Sequence, residues 1–422
     1  MVGGGDLVGP ALADDDLEAC VRTTGGPLAQ PHPADSPVAR WRLRLWGNLD
    51  PVVNERLFAT APEYIYSHDS SRAALAAMGG TIYVPASRPN LTADVLRLSA
   101  IGITAAIVDL EDSVPDRSLG PARKNVLDLI QQLSLRWAGT APPMAIFLRV
   151  RGVEDMMASL EEAGISVLAG FVLPKCDGKR LNIFASALAS YGIHDGPLLM
   201  PVVETIEFAH ANMRHDALAS FAEALAKHRD KVLAVRFGAV DLAGAYGTRL
   251  DSDMSVYDVP FLAAALGDLV SVVSAPPLSM PVTGSVHEFY NEPEDLTSTP
   301  ASSHGIVRLS VLAREVMLDR ASGLWSKSVV HPTQALIVNA LSPVAWSDYQ
   351  DARNIAAAQD GGADASHERT RMNEARPHGD WAASTLTRAR ACGVLREGVR
   401  AVELLEIGLN AARPASAGLV RQ

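Results

Sequence analysis

Eight short apolar runs, each separated from the next by a stretch long enough to hold a helix, constrain this chain more than any other feature. They are TIYV (81–84), AAIVDL (105–110), MAIFLRV (144–150), GFVLP (170–174), LLMPVVE (198–204), VLAVRF (232–237), LSMPVTG (278–284) and SVVHP (328–332). Runs that are apolar along their length, instead of alternating, mark strands buried on both faces, as in parallel sheets covered by helices. A parallel connection needs a crossover of about a dozen residues or more, and the spacers supply it. Residues 91–100, 120–133, 154–163, 179–191 and 306–319 carry apolar positions three to four apart, the helical period. The pattern predicts a (β/α)8 barrel. A doubly wound open sheet is the competitor, but no GxGxxG follows the first run.

Six of the eight runs end in charged or titratable residues: Asp109, Glu111 and Asp112 after the second, Arg149 after the third, Lys175, Glu204, Asp241 and His331 after the fourth, fifth, sixth and eighth. In a barrel these ends form the active-site face. Glu204 and Asp241 close consecutive strands, so they offer two hard oxygen ligands to one rim, as Mg2+ requires. The alternative is that each carboxylate caps the helix behind it. Arg149 suits a substrate carboxylate through two parallel hydrogen bonds, or it pairs with the acids of the second strand. Lys175 stands where a Schiff-base lysine would serve, yet nearby acids would keep it protonated in a salt bridge. A general base is not identified; Asp109, Asp112 and His331 are candidates, with His331 favoured as a strand-end residue bonded to backbone. Cys176 reads as a small packing residue.

Net charge excludes some classes of partner. With 37 Lys and Arg against 48 Asp and Glu, the chain has no overall basic field for nucleic acid or an anionic membrane. The three cysteines lie far apart without CxxC spacing, which argues against disulfides or a zinc site and fits a reducing cytoplasm. No run reaches the roughly 20 apolar residues of a membrane helix, and the N-terminus lacks a secretory pattern.

The segments IYVPASRP, AAIVDLEDSVP, FLRVRG, FVLPKCDG, LMPVVETIEFAH, VRFGAVDLAGAYG and VVHPTQALIVN occur in this order over about residues 81–343. In series they resemble the β-subunit of citrate lyase and the HpcH/HpaI aldolases, malyl-CoA lyases included. The longer lead with YIYSHDSSRAALAAMGG is similar to a divergent bacterial branch of TIM-barrel carbon–carbon bond lyases. The resemblance implies Mg2+ on Glu204 and Asp241, and catalytic roles for Arg149, Asp109 and Asp112. It implies substrate contacts from Arg149, Gly238, Ala239, Arg88 and Lys175. Basic residues near the first strand and after DLED hold CoA thioesters in such enzymes; Arg88 and Arg123 stand there, but Arg117 occupies a common lysine position. A homotrimer or hexamer is also implied.

The organisation expected is a disordered tail (1–40), a lead segment (41–80), the barrel (81–343) and a C-terminal helical appendage (344–422). The lead WRLRLWGNLD reads as a docking strand or an interaction patch. The interval 251–299 reads as a loop-rich excursion over the active-site face. The appendage resembles regions that pack over a barrel mouth, sometimes that of a neighbouring subunit, where His378 and Arg376 would reach a phosphate or carboxylate; the alternative is that they stand on an exposed linker. The function expected is a Mg2+-dependent carbon–carbon lyase acting through a metal-stabilised enolate on a 2-oxo acid or acyl-CoA-type substrate. The alternatives are an aldolase on a non-CoA substrate and a non-catalytic metabolite-binding scaffold that meets partners through the N-terminal tail and the Trp41 and Trp46 segment.

Overall fold

The computed structural model describes residues 40–69, 71–192, 196–290, 303–358 and 361–416. The expected tail, Arg40 apart, and the acidic NEPED stretch lie outside these residues. All eight apolar runs form strands: β1 Gly80–Pro85, β2 Ala105–Asp109, β3 Ala145–Arg149, β4 Leu168–Leu173, β5 Leu198–Val203, β6 Val235–Phe237, β7 Val282–Thr283 and β8 Lys327–Val329. They make one parallel sheet in the order β7-β6-β5-β4-β3-β2-β1-β8. A parallel bridge between Gly284 and Lys327 joins its two edges, so the sheet closes into a barrel. Crossover helices follow the strands: α1 Leu91–Ala100, α2 Leu119–Arg136, α3 Val153–Leu160, α4 Gly178–Ser190, α5 Arg214–Lys227, α6 Pro260–Val273, α7 Ser303–Ala321 and α8 Pro332–Leu341.

Each strand divides its residues between two cores. Ala106, Val108, Ile146, Leu148, Phe171 and Leu173 pack outward with the helices. Ala105, Ile107, Phe147, Val172, Met200 and Val202 fill the lumen. A continuous apolar run is thus what a strand with two buried faces requires.

The lead segment is a floor for this barrel, not a free patch. Trp41 and Trp46 are only 1% and 4% exposed and share the lumen cluster with Leu43, Leu45 and Leu57. Trp46 donates its indole N–H to the Asn339 carbonyl at 3.1 Å. Two buried tryptophans are not exposed for partner contact, which removes the Trp41 and Trp46 half of the scaffold reading; its other half, the N-terminal tail, lies outside the described residues.

Two further expectations are corrected. The 251–299 interval is rich in loop, as expected, but it also holds the 14-residue helix α6 and strand β7, which the loop reading did not include. Pro260 stands at the first turn of α6, where its missing N–H costs nothing, and Leu262, Leu266, Leu269 and Val273 recur at helical spacing toward the core. The appendage, in turn, does not cover the site of its own chain. Its helices are Trp346–Ala357, Gly379–Cys392 and Ala401–Ser416. Strand Val394–Leu395 pairs with Phe58–Thr60 of the lead, and Arg388 donates to the Leu324 carbonyl that precedes β8. His378 accepts the Glu374 amide at 2.9 Å, so it serves a local turn. These contacts lie at the floor end of the barrel, across from the strand C-termini. No helix among the described residues is long and apolar enough to cross a membrane.

Candidate active site

Glu204 follows β5 with 5% exposure, and it does not cap the helix behind it, where Thr205 is the N-cap. Its Oε1 accepts the backbone amide of Lys175 at 2.7 Å. Lys175 adopts φ +49°, a left-handed conformation rare for a side-chain-bearing residue, and this turn aims its N–H at the carboxylate. On the other side, a Cβ on Gly238 would sit 2.3 Å from Glu204 Oε2, so only glycine lets the sixth strand end pass this close. Asp241 stands in the first turn of the short helix Ala239–Ala245, with Ala239 buried beside Gly238. Burial, followed by the charge of Asp241, pushes the Glu204 carboxyl up to about 8.

The second strand supplies the rest of the rim. Asp109 is 1% exposed and takes both prongs of Arg149, Nε at 2.6 Å and Nη2 at 2.7 Å. It also accepts the amides of Glu111 (2.9 Å) and Ser113 (3.2 Å). Burial raises its pKa, but Arg149 and the Ser113 and Glu111 bonds outweigh burial and hold it below the usual carboxylate range. Asp109 is therefore an anchored anion, ill suited to take a proton. Arg149 has its fork occupied; its remaining Nη1 lies 3.0 Å from Glu111 and 3.6 Å from Asp112. Its guanidinium also stands 5.1 Å above the ring of Tyr83 on β1.

Lys175 Nζ contacts Glu111 Oε1 at 2.5 Å, Asp241 Oδ1 at 3.4 Å and Asp112 Oδ2 at 3.5 Å. Burial lowers its pKa, but Glu111, Asp241 and Asp112 raise it further, so the amine stays an ammonium and a Schiff base is disfavoured. Glu111, pressed by burial and Asp112, is raised despite Arg149 and Lys175. An open cleft of about 530 Å³ borders this cluster, lined by Glu111, Asp112, Asp116, Arg151, Lys175 and Arg180.

Three sequence candidates stand apart. Arg88 is closed on Asp94, which Arg97 also grips. His331 caps α8 through Thr333 and stacks on Tyr290 at 4.5 Å, and burial lowers its pKa to about 4. Cys176 is fully buried, and burial pushes its thiol up, away from reactivity.

Among the described residues no group of three or more His, Cys, Asp or Glu side chains is arranged to hold a metal. Any cation here would rest on Glu204 and Asp241 and keep open positions. That fits Mg2+, which is commonly held by one or two carboxylates with water and substrate oxygens completing its shell.

A family profile described as "C-C_Bond_Lyase of the TIM-Barrel fold" matches residues 72–394. The chain belongs to this family. The match extends beyond the barrel into the lead and the appendage, which the structure shows clasped together by the Phe58–Thr60 and Val394–Leu395 pairing. Comparison with curated proteins finds no match. Among solved structures, a citrate lyase from Burkholderia xenovorans LB400 is similar at 17% identity and TM-score 0.54, over 75% of this chain and 93% of that one. CitE from Mycobacterium tuberculosis, in complex with magnesium, acetoacetate and coenzyme A, is similar at 20% identity and TM-score 0.50, over 74% of this chain and 98% of that one. At these identities the likeness is one of fold.

Sequence reasoning did not single out Tyr83, Arg236 or Lys327. A signal existed for the second: a lone charge inside the apolar run VLAVRF.

Proposed function

We propose that this carbon–carbon bond lyase is Mg2+-dependent, with Glu204 and Asp241 as its metal ligands and a 2-oxo acid or acyl thioester as its substrate. The observation that carries the reading is the Glu204 carboxyl, buried, pushed to about 8 and left beside a second acid, Asp241. Among the described residues Glu204 accepts a hydrogen bond at Oε1 alone, so a cation would relieve a repulsion that folding leaves in place. When bound, Mg2+ supplies Lewis-acid stabilisation of the oxyanion that develops as a carbon–carbon bond beside a carbonyl breaks. The chain's own residues then have separable tasks. Lys175 orients Glu204 through its amide and holds Glu111 through its ammonium. Asp109 fixes Arg149, whose Nη1 meets Glu111 and Asp112 of the cleft wall. Asp112, 55% exposed at the cleft, is the acid best placed to accept a proton, since Asp109 is committed to Arg149. The fold relative was solved with magnesium, the 3-oxo acid acetoacetate and coenzyme A; its magnesium is the cation this reading expects.

The test is calorimetric. Glu204→Gln and Asp241→Asn should each weaken Mg2+ binding by at least the roughly 10–100-fold that loss of an outer-shell partner costs. Both should also abolish Mg2+-dependent exchange of the C3 protons of pyruvate. Unchanged affinity in both variants would sink the assignment.

A second observation favours a substrate without CoA. Arg88 and Arg123, the basic residues expected to meet a CoA phosphate, are closed on the buried carboxylates of Asp94 and Asp155. Titration with CoA decides: binding in the low micromolar range would return the acyl-CoA reading to first place.

A further inference from the structure

The barrel lumen has two unlike sides. Strands β2–β5 line it with apolar groups such as Ile107, Phe147, Met200 and Val202. Strands β6, β7, β8 and β1 contribute Arg236, Thr283, Ser328 and Thr81. Arg236 and Thr283 are register partners across β6 and β7. Ser328 and Thr81 are register partners across β8 and β1. With β7 and β8 joined at Gly284–Lys327, the four side chains form one polar band on neighbouring strands.

This band is enclosed and only partly satisfied. Arg236 is 1% exposed, and Thr81 and Thr283 are fully buried. Arg236 Nη2 donates to Ser328 Oγ at 2.5 Å, whereas Nη1 meets only the Met200 sulfur at 4.0 Å. Among the described residues Arg236 Nε, Thr81 Oγ1 and Thr283 Oγ1 have no hydrogen-bond partner, nor has Ser285 Oγ just past β7. Among the described residues no carboxylate contacts Arg236. Tyr83, two residues beyond Thr81 on β1, places its ring 5.8 Å from the Arg236 guanidinium and 5.1 Å from that of Arg149. The half-buried ring thus stands between the band and the rim. A cation enclosed in a core is costly unless a counter-charge or a full set of hydrogen bonds compensates it. Buried water can satisfy the hydroxyls, but it brings no charge.

Ser328 Oγ, which accepts from Arg236, donates its own proton to the Gly284 carbonyl at 3.4 Å and so only positions the guanidinium. We propose that this band is an anion site in the barrel lumen, where Arg236 and the hydroxyls of Thr81 and Thr283 hold a small monovalent anion. It is separate from the Glu204 and Asp241 pair, whose charge suits a cation, and it does not depend on the metal reading. Two sources share this chemistry: a free halide, and the carboxylate end of a substrate that passes Tyr83.

Bromide is the probe, on the full chain. Crystals soaked in sodium bromide should show an anomalous peak within hydrogen-bond distance of Arg236. In solution, bromide should raise the melting temperature saturably relative to methanesulfonate at equal ionic strength. Arg236→Met should abolish both effects. If that variant fails to fold, Thr283→Val, which keeps the guanidinium, should weaken bromide at least tenfold. Adding pyruvate separates the sources: displacement of bromide assigns the site to a substrate carboxylate, and persistence assigns it to a free ion. A peak without a saturable shift would mark an adventitious ion only and overturn the proposal. So would an equal shift in Arg236→Met, or no response of the wild type to bromide and pyruvate alike.

Discussion

Two lysines of this protein, Lys175 on the rim and Lys327 behind β8, are each ringed by carboxylates, but the carboxylates around them are satisfied to different degrees. Lys327 is 2% exposed and sits 3.0 Å from Glu315 Oε1 and 2.9 Å from Asp319 Oδ2. The remaining oxygens are occupied as well: His287 Nδ1 lies 3.0 Å from Glu315 Oε2, and the Tyr257 hydroxyl donates to Asp319 Oδ1 at 2.8 Å. Burial pushes the Glu315 carboxyl up, but Lys327 and His287 outweigh it and hold it below the usual range. At the rim, Lys175 serves Glu111, Asp112 and Asp241 at once, and among the described residues Glu204 accepts a hydrogen bond at only one of its oxygens. A buried cluster with every oxygen matched holds helix α7 to the barrel. A rim with acids in excess is what the proposed cation would neutralise. The same residue types thus do structural or chemical work according to whether their charges are settled within the fold.

The largest effect should come from unsettling the matched cluster. Lys327→Met leaves two buried carboxylates without their cation, which should cost about 3–5 kcal/mol of unfolding free energy. Mg2+ affinity of the folded protein should not change. Urea unfolding and calorimetry on one preparation check both halves, and a near-wild-type midpoint would erase the contrast drawn here.

The rim should respond to pH instead. The Glu204 carboxyl titrates at about 8 in the folded chain against an ordinary 4.5, so folding favours its protonated form. Its contribution is fully present below pH 4.5 and is lost as pH rises through 8, a loss on the order of 5 kcal/mol. Metal-free wild type should lose stability over that window relative to Glu204→Gln, and saturating Mg2+ should remove the difference. Parallel curves for the two proteins without metal would show that Glu204 carries no such strain.

The smallest effect belongs to the residue between the two regimes. Arg149→Lys replaces a two-pronged partner of buried Asp109 by a point charge, which should cost about 1–3 kcal/mol of stability. Because the fork is already closed on Asp109, stability should fall more than affinity for a 2-oxo acid. A loss of affinity at unchanged melting temperature would restore Arg149 as a direct substrate clamp.

The barrel was legible because its evidence is local. Each strand buried on both faces must be apolar throughout, and each crossover must show the helical period, so eight runs and most spacers could be read without knowing what they touch. Helix α6 was passed over because the prolines and acids at both ends of the interval outweighed the periodic PFLAAALGDLVSVV between them. The strand-end charges were equally visible, as a polar residue closing an apolar run needs no partner to be seen.

Partnership was not visible. Arg149 and Asp109 are 40 residues apart, and only the barrel's register sets them side by side. Lys327 fell just outside the run read from Ser328, and the alternation that turns Lys327 toward α7 and Ser328 into the lumen exists only once the strand is paired. Whether Trp41 and Trp46 faced partners or the floor was likewise undecidable from WRLRLWGNLD. Sequence by itself determined which residues stand at the strand ends, because that follows from chain-local periodicity. Tertiary structure alone decided which charges cancel and which remain, because cancellation depends on distances between residues far apart along the chain.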